Sequence, residues 1–139
     1  MSRSATIAAV LSLFVFSASA ADKEIRKIPI SPTSPVSGQA MFNEYCTSCH
    51  GKSAKGDGPA APALNKTPTD LTTLSARNNG KFPELRVYAA IQGDADVAAH
   101  GSKDMPVWGS VFRGMNRSDG EVQMRLSNLV AYVKNLQAK

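Results

Sequence analysis

Residues 37–50 read SGQAMFNEYCTSCH, and the last five of them, Cys46-Thr47-Ser48-Cys49-His50, decide the architecture. Two thiols three positions apart near a helix end, followed at once by an imidazole, form the C-x-x-C-H pattern of covalent c-type haem attachment. The spacing has a physical basis. Both thiols can reach the vinyl groups of one porphyrin, and the adjacent histidine is carried to the iron face as proximal ligand. The other readings of a close cysteine pair fit less well. A thioredoxin-like redox pair belongs in a βαβ setting, which the pattern lacks, and a structural disulfide leaves His50 unexplained. The expected cofactor is one haem c, held by thioethers to Cys46 and Cys49, with its iron on His50.

Composition agrees with such a site. The chain has 139 residues, room for one domain and a short targeting segment. Hydrophobic residues make up 42% and charged residues 19%, enough apolar content for a packed core. Aromatics are only 6%, so a domain with long loops would be short of core without a large apolar cofactor. The net charge of +5 is scattered, with no Lys/Arg run, which argues against nucleic-acid binding. Two cysteines and two histidines in all exclude a Cys₄ or Cys₂His₂ zinc module unless His100 joins the cysteine pair. No second C-x-x-C-H is present, which excludes a dihaem peroxidase.

Upstream, Arg3 precedes an apolar run at residues 7–16 (IAAVLSLFVF), and Ala18-Ser19-Ala20 supplies small residues for cleavage. Residues 1–20 are expected to be a removable export signal, too short for a membrane span, giving a periplasmic or otherwise exported chain of net charge +4. Residues 21–37 carry Pro29, Pro32 and Pro35 and read as an extended leader. The haem domain is expected at residues 38–139.

Within it, Ser37 is a cap for a helix reaching Cys46. Residues 51–66 read as loop, 70–77 as a short helix ended by Asn78-Asn79-Gly80, and Pro83 to Gln92 as a helix stopped by Gly93. Residues 94–114 read mostly as loop. Ser118 and Glu121 form a capping-box pattern before Val122, Leu126, Leu129, Val130, Val133 and Leu136, one apolar stripe of a last helix. No segment alternates as a strand. The class is all-α, few helices and long loops.

From Gly38 onward the chain resembles the monohaem class I cytochrome c family. Gly38 and Phe42 lie eight and four residues before Cys46, and Leu129 and Tyr132 lie on the last helix, as in that family. The resemblance implies that the first and last helices cross there, with Gly38 permitting the approach. Pro62 and Leu64, twelve and fourteen residues after His50, match the family's proline and haem-contacting leucine. That match implies that the Pro62 carbonyl accepts from the Nδ1–H of His50, with Pro59 as a nearby competitor. Met105, opening Met105-Pro106-Val107-Trp108-Gly109, resembles the distal-ligand motif. His100, Met115 and an open position stay as alternatives. Met1 leaves with the signal, Met41 is too near the attachment site, and Met124 belongs to the last helix. Trp108, Tyr88, Arg77 and Arg86 are candidates for the haem propionates.

The function implied is single-electron transfer between redox partners, not enzymatic catalysis. Its rivals are a haem subunit of a periplasmic dehydrogenase or oxidase, and a five-coordinate haem ligand binder or sensor. Lys52, Lys55, Lys66 and Lys103 would form a basic rim that steers an acidic partner.

Overall fold

Ser37 opens the first helix as expected: its Oγ accepts the Ala40 N–H at 3.1 Å, satisfying one of the donors a helix start leaves unpaired. In this computed structural model, which describes residues 31–93, 105–115 and 118–138, helix α1 spans Gly38–Tyr45. Its buried residues, Gly38, Met41, Phe42 and Tyr45, recur at helical spacing on one face. After Cys46 a single further turn, α2 (Thr47–His50), presents the imidazole. Three short 3₁₀ turns follow, Ala61–Ala63, Leu71–Thr73 and Ala76–Asn78. Helices α3 (Glu84–Gln92), α4 (Trp108–Met115) and α5 (Asp119–Asn135) complete the chain. Among the described residues there is no strand, and the fold is the expected all-α one.

The core is organised by α5, which packs on α1, α3 and α4, while α3 also packs on α4. Val122, Leu126, Leu129, Val130 and Val133 form its buried stripe. Where α1 crosses α5, no side chain fits between them. A Cβ on Gly38 would lie 2.1 Å from the Asn128 carbonyl oxygen and 2.8 Å from Tyr132 Cβ. Beside that contact the Phe42 and Tyr132 rings meet at 5.3 Å, and both Phe42 and Leu129 are almost fully buried. Fully burying each such side chain contributes about 2 kcal/mol.

Three local expectations need correction. Residues 70–77 form two 3₁₀ turns in place of one short helix; Asp70 caps the first by accepting the Thr72 N–H at 2.8 Å. Residues 108–114, the end of the stretch read mostly as loop, belong to helix α4. Its apolar residues Trp108, Val111, Phe112 and Met115 recur at helical offsets 3, 4 and 7, so the signal was present and was passed over beside Gly109 and Gly114. Its buried residues are Trp108, Gly109 and Phe112, and a Cβ on Gly109 would lie 2.6 Å from the Gln92 carbonyl oxygen of α3. Lastly, Ser118 precedes α5 but makes no side-chain cap bond. Glu121, its expected capping-box partner, pairs with Arg125 at 3.2 Å. Residues 1–30, His100 and Lys103 lie outside the described residues.

Candidate haem-binding site

Between the helices lies a cavity of about 420 Å³. Cys46, Cys49 and His50 line it, together with Leu64, Met105 and Trp108, so six of the seven sequence-selected residues share one wall system. Leu71, Leu74, Val87, Ile91, Leu129 and Val133 supply much of the apolar remainder. Such a volume and such a lining, mostly apolar with a few placed polar atoms, are those of a buried cofactor site. A shallower surface groove of about 770 Å³ runs past Lys81, Leu85 and Lys134; it is larger but holds neither the C-x-x-C-H residues nor Met105.

The histidine is oriented by the backbone. His50 is buried, with Nδ1 3.1 Å from the Thr69 carbonyl oxygen. A carbonyl can only accept, so Nδ1 carries the proton and Nε2 keeps its lone pair for a metal. The accepting residue is therefore Thr69 and not Pro62. Pro62 is exposed in the Ala61–Ala63 turn and is absent from the cavity wall. The reason lies in the loop after His50, which folds back on α2. Gly56 N–H donates to His50 O at 2.9 Å, Gly58 N–H to Cys49 O at 3.1 Å, and Ala60 N–H to Ser48 O at 2.8 Å. Residues 61–63 are thereby held beside α2, and the later Thr67-Pro68-Thr69 segment returns to the imidazole. Gly56 makes that return possible: its φ is +84°, and a Cβ there would lie 2.1 Å from Pro68 O.

No disulfide joins Cys46 to Cys49. Burial, followed by the neighbouring Cys49, pushes the Cys46 thiol up to about 12. Reactive redox cysteines are held in the opposite direction, so Cys46 lacks the electrostatics of a thioredoxin-like nucleophile. Among the described residues no group of three His, Cys, Asp or Glu side chains could hold a metal ion.

Met105 is partly buried, packed against the core three residues before Trp108 at the start of α4. Met115 ends α4, Met41 is fully buried on α1, and Met124 is exposed on α5; none of the three lines the cavity. Trp108 is buried and packs on Tyr45 and Phe112, with ring centroids 5.3 and 5.7 Å away. Arg77, Arg86 and Lys66 reach the cavity wall, whereas Tyr88 does not. Arg77 is also anchored by the Thr73 and Asp70 carbonyls.

Sequence reasoning missed Thr69, Tyr45, Arg125 and Gln137. Gln137 donates from Nε2 to Leu71 O at 2.7 Å and to Val133 O at 2.9 Å, and accepts from Ser75 N–H at 2.8 Å, so it ties the C-terminal turn to the cavity-lining 71–75 segment. No motif marks such a residue. Arg125 did carry a signal, a lone cation at the period of the apolar stripe.

A helical cage that gathers C-x-x-C-H and a methionine around one apolar cavity defines a c-type cytochrome domain. The chain belongs to the family described as cytochrome c oxidase, cbb3-type, subunit III, which matches residues 33–121. No curated protein and no solved structure matches it. The family implies covalent haem c with iron, and the residues present suit that group: two thiols, an imidazole whose Nδ1 faces the Thr69 carbonyl, and a thioether on one cavity. The protein is a c-type cytochrome electron carrier of the class I, monohaem kind.

Proposed function

We propose that the chain is an exported carrier of single electrons whose haem is bound through Cys46 and Cys49 and ligated by His50 and Met105. The observation that carries this reading is the placing of all four side chains on one cavity, with the His50 tautomer fixed by Thr69 O. Bound haem iron supplies a one-electron couple, and thioether ligation favours its ferrous form. With His50 and Met105 both holding the iron, no position would be open to a substrate, which suits a carrier better than an enzyme. Leu64, Leu71 and Leu74 give the cavity apolar wall against which a porphyrin would pack, and Arg77, Arg86 and Trp108 are the wall residues able to meet propionates. Residues 1–20 act as the export signal and 38–139 as the haem domain. Among the described residues no helix is long and apolar enough to cross a membrane.

A second reading, a haem subunit passing electrons within a larger oxidase or dehydrogenase, is favoured by the name of the matching family. Co-purification with a larger redox partner under gentle conditions separates it from a free carrier. The ligation is tested by Met105→Ala. This variant is expected to keep its covalent haem, lose the far-red Met–iron band, bind carbon monoxide in the ferrous form and show a lower reduction potential. Met115→Ala and His100→Ala are expected to change none of these. A Met105 variant with an unaltered spectrum would move the ligand elsewhere, and a wild type that already binds carbon monoxide would support the ligand-binder reading.

A further inference from the structure

Residues 31–36 come from the proline-rich stretch that composition reads as a leader, yet hydrogen bonds fasten them to the cavity wall. Thr33 donates twice to Tyr45 Oη, from its N–H at 3.1 Å and its Oγ1 at 2.9 Å, and Tyr45 Oη donates on to Ser31 O at 2.9 Å. Two bonds accepted and one donated use the full capacity of a phenol. Thr33 Oγ1 in turn accepts from Arg125 Nη1 at 3.3 Å. Arg125 is only 3% exposed, pairs with Glu121 at 3.2 Å, and lies 5.8 Å over the Phe112 ring. A second tie runs from Asn128 Nδ2 to Pro35 O at 2.9 Å.

The network ends on the cavity. Tyr45 lines it and packs on Trp108 and on Phe112, the two large buried side chains of α4. Trp108 begins that helix three residues after Met105. A guanidinium buried this deeply is held where it is by its partners, because moving it without them would leave a charge unpaired. We infer that residues 31–36 are a strap fastened behind the Tyr45 wall of the haem site, and that Arg125, acting through Thr33 and Tyr45, is a positioning residue for the Met105–Trp108 wall. The match to the family begins at residue 33, inside this strap. The inference rests on the proposed Met105 ligation for its effect at the iron, but not for its effect on α4.

The test uses the haem-loaded full chain and the shape-conserving variants Thr33→Val and Tyr45→Phe, with Arg125→Lys as a third. Two measurements are made: hydrogen exchange of peptides covering 31–37 and 108–115, and displacement of the sixth iron ligand by added imidazole. Loss of one such hydrogen bond is expected to speed α4 exchange by about three- to tenfold and to tighten apparent imidazole binding by a similar factor. In the Thr33→Val/Tyr45→Phe double variant the two effects should not add, since both break one relay. Exchange that rises in 31–37 while 108–115 stays within about twofold of wild type would overturn the inference. So would additive effects. A wild type without the Met–iron band would sink the ligation instead, and the exchange result would still decide the strap.

Discussion

At the scale of single residues, the site depends on backbone atoms holding side chains. His50 is set by Thr69 O, and the adjacent Asp70 caps the turn that follows. Asp70 accepts from the Thr72 hydroxyl at 2.6 Å and from the Thr72 N–H at 2.8 Å. Chiefly through that hydroxyl bond, its carboxyl is held below the usual carboxylate range. A folded-state value below the unfolded one gives stability that is present above the unfolded pKa and is lost as pH falls through the folded one. Wild type should therefore exceed Asp70→Asn in urea stability at about pH 6 and lose that advantage at about pH 2, by a small amount because Asp70 is near the surface. Equal differences at both pH values would contradict this. The attachment residues were readable because covalent chemistry fixes their spacing. Thr69 was not, since the identity of an accepting carbonyl depends on how the 51–60 loop folds back and not on any side chain.

Among the elements, the α1–α5 crossing is the joint that the rest depends on. Gly38→Ala would place a methyl group against backbone at Asn128, which cannot swing aside as a side chain could. The expected cost is about 2 kcal/mol or more, read as a lowered thermal midpoint with the haem still attached. A midpoint within about a degree of wild type would mean the helices cross elsewhere. This joint was legible through the family resemblance carried by Gly38, Phe42, Leu129 and Tyr132, and α3 with its Gly93 stop from the residues themselves. Helix α4 was legible too but was passed over: Trp108, Val111, Phe112 and Met115 lie at helical offsets 3, 4 and 7, and its two glycines drew the stretch into the loop reading. The Ser118–Glu121 pattern marked the start of α5 correctly, although Ser118 makes no side-chain cap bond and Glu121 pairs with the buried Arg125.

For the whole molecule, charge is the property that a partner meets first. Lys66, Arg77 and Arg86 are exposed cations at the cavity wall, and Lys52 and Lys55 are exposed on the turn after His50. Under the carrier reading, electron exchange with an acidic redox protein should slow as salt rises from about 0.01 to 0.3 M. Lys66→Glu should slow it further at low salt and matter little at high salt. Rates indifferent to both would remove the steering rim and leave the haem site standing. The claim beneath every other is that this cavity holds haem joined to Cys46 and Cys49. Mass spectrometry of the peptide spanning residues 46–50, taken after acid–acetone treatment of the protein produced with haem-attachment machinery, tests it most directly. The expected peptide carries one haem and no free thiol; a colourless peptide with two alkylatable thiols, its pigment gone into the acetone, would contradict the account.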